Sequence, residues 1–137
     1  SAHRTMSINL GIGSRLPAYC TSMGRVLLSG LAPEVLRERL SKMALLKVTP
    51  ATKVDIDVLM EEIAQVRRQG WCLVQEELEQ GLIALAAPVF DRAGKVVAAI
   101  NVSGQTAGPS VAHLLEHSLP KLLETASRVS ALVRVQQ

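Results

Sequence analysis

Aromatic residues are almost missing: Tyr19, Trp71 and Phe90 are the only three in the 137-residue chain. Proteins that bind single-stranded nucleic acid stack successive bases on rows of rings, and three widely spaced rings cannot form such a row. The core is therefore left to Leu, Val, Ala and Ile. Cysteine is equally scarce, and Cys20 and Cys72 have neither metal-ligand nor CxxC spacing, so they read as reduced thiols of a cytoplasmic protein. Long hydrophobic runs are absent too. The longest stretch without Asp, Glu, Lys or Arg, from Val96 to Leu115, is interrupted by Asn101, Ser103, Gly104, Gln105, Gly108 and Pro109 and is no membrane span. His3 and Arg4 lead into an alternating segment rather than an apolar h-region, so no signal peptide is expected. Neither charge sign dominates: 15 basic and 12 acidic residues leave +3. The pI is 9.2, but Arg67-Arg68 is the only adjacent basic pair, which makes no stripe for tracking phosphates.

What is present reads as one domain. Apolar residues make up 48% of the chain and charged ones 20%, an ordinary globular balance for a length that buries about two-thirds of its unfolded surface. From Arg4 to Ile12, Met6, Ile8, Leu10 and Ile12 alternate with smaller or polar residues, the period of a half-buried strand. After Pro17, with Thr21 as N-cap, Met23, Val26, Leu27, Gly30 and Leu31 mark a helix. A second helix starts at Pro33 with Leu36, Leu40 and Met43 inside. Lys42 to Thr52 has no period and reads as loop or short strand. Thr52 and Asp55 resemble a capping box ahead of the stripe Ile56, Leu59, Met60, Ile63 and Val66, which ends at Arg67, Arg68 and Gly70. Strands are expected at Trp71–Leu78, Leu82–Phe90 and Val96–Ser103, the last two joined through Asp91-Arg92-Ala93-Gly94 as a hairpin. A long helix follows, with Val111, Leu114, Leu115, Leu122, Ala126, Val129 and Val133 on one side and Pro120 kinking or dividing it. This order fits an α+β domain, an antiparallel sheet with helices on both faces. Four strands with a bare first edge are few, so an N-terminal part of the sheet is expected to be missing.

A hairpin turn centred on Arg92-Ala93 pairs Ala87 with Ala98, Leu85 with Ile100, Ala84 with Asn101 and Leu82 with Ser103. One face then carries Ile83, Leu85, Ala87 and Val89 with Val96, Ala98, Ile100 and Val102, a surface for helices. The other carries Leu82, Ala84, Ala86 and Pro88 with Val97, Ala99, Asn101 and Ser103. Small side chains and two hydrogen-bonding groups there suit either one wall of a small-molecule pocket or simply the wetter side of the sheet. A bulge or a three-residue turn would flip this parity. Thr21-Ser22-Met23-Gly24 offers hydroxyls and unpaired amides at a helix start, suited to an anion or to ordinary capping.

Other candidates are weaker. His113 and His117 have metal-pair spacing, but nothing nearby completes a site, so no metal and no cofactor are expected. Glu76 and Glu77 on a strand point to opposite faces, so only one can line a given cleft; Glu77 could reach the pocket, and a solvated strand end is the favoured place for it. Cys20 reads as a buried thiol, with a nucleophile as the alternative. No GxSxG, P-loop or dinucleotide fingerprint occurs.

Five blocks in order, Gly13–Tyr19, Thr21–Leu28, Val66–Trp71 with Glu76-Glu77 and Gly81, Ala86–Asp91, and Val97–Gly104, resemble the effector-binding domain of IclR-family bacterial transcriptional regulators over nearly the whole chain. The resemblance implies a GAF-like antiparallel sheet with helices on both faces and a small-molecule effector against the sheet. It places effector contacts at Leu16, Ser22, Met23, Leu82, Ala84, Asn101 and Ser103. Met6–Gly13 with Thr21–Arg25 looks more narrowly like the aromatic-acid-responsive subgroup, regulators of β-ketoadipate-pathway genes that sense protocatechuate or 4-hydroxybenzoate. Met23 and Asn101 depart from residues frequent in relatives, which bears on effector choice. The implied partners are a small carboxylate effector, further copies in a homodimer or homotetramer, and DNA only through a winged helix-turn-helix. That module and the first strands of the sheet are expected to lie outside residues 1–137, which form one effector-binding domain with no catalytic residue. Two other readings stay open: a GAF-like thiol enzyme, such as a free methionine sulfoxide reductase using Cys20 or Cys72, and a ligand-free dimerisation domain.

Overall fold

The computed structural model describes residues 12, 14–108 and 110–137. Apart from Ile12, the strand expected over Arg4–Ile12 lies outside them. A single turn of 3-10 helix, Ala18–Cys20, leads into helix α1, Ser22–Leu28, which Thr21 caps by accepting the Gly24 N–H at 3.1 Å. The helix stops short of Gly30 and Leu31. Leu28 rather than Leu27 is its buried leucine, while Leu27 stays 46% exposed. Helix α2, Pro33–Lys42, buries Leu36 and Leu40. Helix α3, Ile56–Gln69, buries Leu59, Ile63 and Val66 and ends at Gly70, whose φ of 83° forms the left-handed cap. Its N-cap is Asp55, which accepts the Val58 N–H at 3.0 Å. Thr52 plays no part in that cap: its hydroxyl accepts from Thr49 N–H and donates to the Glu77 carbonyl, tying the preceding loop to the sheet.

Strands β1 (Cys72–Gln75), β2 (Leu82–Phe90) and β3 (Val96–Gln105) form an antiparallel sheet in the order β1-β2-β3. The first is shorter than the Trp71–Leu78 pattern suggested. The reason is Glu76, whose φ of 57° turns the chain out of the strand, with its N–H donating to Leu82 O at 2.7 Å and its Oε1 accepting the Gly81 N–H at 3.0 Å.

The hairpin differs from the simple register in two places that offset each other. Asp91 organises the turn by accepting the Ala93 and Lys95 N–H groups on Oδ1, so Phe90 faces Val96 and the turn centres on Ala93. Beyond it Val97 is an extra residue, a β-bulge, so Val89 faces Ala98, Ala86 faces Asn101 and Ala84 faces Ser103. Each one-residue offset reverses parity, and together they restore it. Asn101 and Ser103 therefore share a face with Leu82 and Ala84 as expected, with partners shifted by two. Only the residues before the bulge change sides: Val96 joins Ala86 and Ala99 in the core, and Val97 is 46% exposed. At the hairpin end the Phe90 N–H donates to Ser130 Oγ at 2.9 Å, linking the sheet to the last helix.

Helices cover both sheet faces. On one, α1 and α3 bring Val26 and Val66 against Cys72, Val74 and Ala86, with Met23 packed alongside. On the other, Leu122 and Ala126 pack on Leu85 and Ala87. They belong to a continuous C-terminal helix made of α4 (Val111–His113), a π-helical stretch (Leu114–Ser118) and α5 (Leu119–Val135). Pro120 explains the π stretch. It lacks an N–H and its ring crowds the carbonyl four residues back, and the turn ahead of it widens so that Leu119 N–H reaches Leu114 O.

Candidate functional site

On the α1 side the sheet is filled at one end and open at the other. Where Ala86 and Ala99 lie, Met23 and Val26 occupy the space. Toward Ala84 and Ser103 the small side chains leave a cavity between the sheet, the start of α1 and the β1–β2 loop. Its wall comprises Leu16, Cys20, Thr21, Ser22, Met23, Val74, Leu78, Leu82, Ala84, Asn101 and Ser103. The depression measures about 500 Å³ with its mouth included, of which about 60 Å³ is open to the centre of a water molecule, room for a few waters. Met23, unbranched and half-buried, is the wall residue best able to repack around something larger.

Every one of the seven residues singled out from the sequence, Leu16, Ser22, Met23, Leu82, Ala84, Asn101 and Ser103, stands on this wall. The structure adds Cys20, Thr21, Val74 and Leu78. Val74 was accessible to sequence reasoning, because it faces Ala84 across the β1–β2 ladder. Leu78 was not, since it lies on a loop that the sequence presents as strand.

The polar groups are placed by local structure. Thr21 spends its side chain on the fold, donating to Pro17 O at 3.0 Å and accepting from Gly24 N–H. Ser22 and Met23 follow at the first two helical positions, where backbone N–H groups have no helical carbonyl to bond. Gly24 lets the helix start lie directly on the 3-10 turn: a Cβ there would run into the Cα and carbonyl oxygen of Ala18. Across the cavity Asn101 Nδ2 donates to Ser103 Oγ at 3.3 Å. None of the described wall residues carries a formal charge.

The charged residue expected near the site behaves differently. Glu77 is not a solvated strand end but is 3% exposed, held by Arg25, itself 1% exposed. Arg25 Nη1 and Nη2 donate to Glu77 Oε2 and Oε1 at 3.0 and 2.6 Å, and Nε donates to Tyr19 O at 2.8 Å. The pair ties α1 to the β1–β2 loop, both of which contribute residues to the cavity wall. Strand alternation misplaced Glu77 because the strand has already ended at Gln75.

Both cysteines are buried, Cys20 in the cavity wall and Cys72 in the core beside Val26 and Val66. Burial is the largest influence on each: it raises the Cys20 thiol above its usual range and pushes Cys72 up to about 12. Thiols held protonated at neutral pH lack the low-pKa sulfur that a thiol-based reductase requires. The His113 and His117 rings lie against each other, tilted by 41° with centres 4.3 Å apart, and neither lines the cavity.

Residues 1–131 match the family model described as "Bacterial transcriptional regulator IclR C-terminal". The chain is 46% identical over 128 residues to the Pca regulon regulatory protein of Pseudomonas putida, covering 93% of this chain and 44% of that protein. It is 40% identical over 130 residues to the p-hydroxybenzoate hydroxylase transcriptional activator of Acinetobacter baylyi, covering 95% and 48%. The chain thus spans about half the length of the curated relatives it matches. Among solved structures, a double mutant of the PobR transcription factor inducer-binding domain from Acinetobacter, in complex with 3-hydroxybenzoic acid, superposes with a TM-score of 0.88 at 39% identity, covering 96% of this chain and 75% of that one. The IclR protein of Thermotoga maritima gives 0.84 at 27% identity, covering 95% and 52%.

Proposed function

The chain belongs to the IclR family of bacterial transcriptional regulators, within the part described as the C-terminal domain, and on that premise we propose that its cavity is an effector site for a small aromatic carboxylate. The observation that carries the proposal is the composition of the wall. The described wall combines polar groups at Ser22-Met23 and at Asn101-Ser103 with the apolar residues Leu16, Val74, Leu78, Leu82 and Ala84, and among these residues there is no charge and no ring. An aromatic acid supplies what the wall lacks. Its carboxylate is placed at the Ser22 hydroxyl and the unpaired amides of Ser22 and Met23, its ring over Ala84 and Leu82, and a ring hydroxyl at Asn101 and Ser103. The relatives named above, one of them a domain complexed with 3-hydroxybenzoic acid, support this choice of ligand.

The role is sensing rather than catalysis: both thiols are held protonated, and the relatives are named as transcriptional regulators. Effector binding favours one arrangement of subunits in a homodimer or homotetramer, and so one spacing of DNA-binding modules, in the cytoplasm. Contact with DNA is assigned to the part of the relatives' length that this chain does not span.

Calorimetric titration with 3- and 4-hydroxybenzoate, protocatechuate and short-chain carboxylates tests the proposal. One aromatic acid binds with one site per chain, and Asn101→Leu weakens it about tenfold or more. A folded chain that takes none of them, or binding that Asn101→Leu leaves unchanged, rules out this site.

A further inference from the structure

The described wall residues are neutral, but two of them, Leu78 and Cys20, adjoin a buried charged cluster along the chain. Glu77 Oε1 accepts the Lys53 backbone N–H at 3.0 Å in addition to its two bonds from Arg25. Lys53 Nζ stands 3.7 Å from Glu77 Oε2 and 3.4 Å from Glu62 Oε1. Two cations, Arg25 and Lys53, and two carboxylates, Glu77 and Glu62, thus form one network whose formal charges sum to zero.

This network adjoins the polar end of the cavity. Ser22 and Arg25 are three residues apart in α1, on the same helical face, and both are buried. Leu78, next to Glu77, and Cys20, next to the Tyr19 carbonyl that Arg25 holds, are both wall residues. Cys20 registers the two charges directly: after burial, which raises its thiol, Arg25 lowers it and Glu77 raises it. A charge that perturbs one wall group also acts on an anion bound against that wall, and both charges, being buried, are weakly screened.

We propose that Glu77, which lies outside the cavity wall, is the residue that sets how strongly the site prefers an anion over a neutral ligand of the same shape, by cancelling Arg25 beneath the helix start. The inference rests on the effector-site reading above. With Arg25 cancelled, affinity comes from hydroxyls, amides and ring burial, so small differences among ring substituents decide which ligand is accepted. An uncompensated Arg25 would hold any carboxylate and blur that choice.

The test compares 3-hydroxybenzoate with 3-hydroxybenzamide, its uncharged counterpart, by calorimetry at low ionic strength. Glu77→Gln keeps the shape and an acceptor oxygen but removes the charge, and the preference for acid over amide rises about tenfold. Lys53→Met alters a half-exposed side chain and leaves the negative charge of Glu77 less compensated, so the same preference falls. A purely structural role weakens both ligands together, and an unchanged ratio in both variants overturns the proposal. Should Glu77→Gln not fold, Lys53→Met decides alone, and an unchanged ratio there overturns it. A wild-type chain that binds neither ligand is tested in the same way with 4-hydroxybenzoate and protocatechuate and their amides, and binding to none of these removes the effector reading and this inference with it. A wild-type chain that binds the acid while the ratio stays fixed in the variants removes only this inference.

Discussion

Gly24 sits so close over Ala18 that a single added carbon would collide with the Ala18 Cα and carbonyl oxygen and come within 2.6 Å of Thr21 Oγ1. The contact is backbone against helix start, so no flexible side chain can yield. Gly24→Ala is therefore expected to cost about 2 kcal/mol or more, unlike the usual small gain from replacing a helical glycine. Thermal unfolding checks this. A melting temperature equal to wild type would mean that the 3-10 turn can move away freely and does not fix Ser22 and Met23.

Ser22 separates binding from folding. It is buried at the cavity, while the caps and turns around it are made by Thr21, Gly24 and Arg25. Ser22→Ala should cost no more than about 1 kcal/mol of stability and weaken an aromatic carboxylate about tenfold, as expected for losing one hydrogen bond to a charged group. Calorimetry beside a thermal melt reads both quantities. Equal affinity for the variant would move the carboxylate to another part of the wall.

Much of this arrangement is legible in the sequence because period and capping are local. The α3 stripe ends at Gly70 as its left-handed cap requires, and Pro120 disrupts the last helix, here through a π stretch. The hairpin is more instructive. Either the turn or the bulge alone would flip the parity, but each displaces the register by one residue, so a simple register that includes neither still places Asn101 and Ser103 beside Leu82 and Ala84. Val96 and Val97, lying between the two offsets, exchange faces.

What stayed hidden depends on backbone torsion and on distant partners. Glu76 leaves the strand at positive φ, a conformation few non-glycine residues adopt and no composition rule assigns to it. That turn carries Glu77 inward to Arg25, 52 residues away in sequence. The same turn brings Leu78 to the cavity wall, and long-range closure likewise sets Thr52 against the Glu77 carbonyl instead of at a helix cap.

Arg25 and Arg37 illustrate how burial decides the worth of an ion pair. Arg25–Glu77 is closed off from water, with side chains 1% and 4% exposed, whereas Arg37–Asp57 has a similar 2.7 Å contact with 56% and 82% exposure. Removing one partner of the first strands a buried charge and should cost about 3–5 kcal/mol. For the second the expectation is about 0–1 kcal/mol. Urea denaturation of Arg25→Ala and Arg37→Ala, with comparable slopes, measures the contrast. Equal midpoints would mean that water reaches the Arg25 pocket.

Cys72 makes stability depend on alkaline pH. Its ordinary value is 9.0, and burial, the largest influence, takes it to about 12 in the folded chain. The folded state therefore holds its proton where the unfolded chain has already lost it. That contribution is fully present below pH 9 and declines as pH rises toward 12, at a slope approaching about 1.4 kcal/mol per pH unit from this group. Cys20 is shifted in the same direction, also chiefly by burial. Urea midpoints should be flat between pH 7 and about 8.5 and fall above about 9.5, and Cys72→Ala should reduce the slope of that fall. In the same pH 7 buffer, Ellman's reagent should react with neither thiol until denaturant is added. Rapid labelling of the folded chain, together with an alkaline fall that Cys72→Ala leaves intact, would show that the thiol is open to solvent and that another group controls the loss.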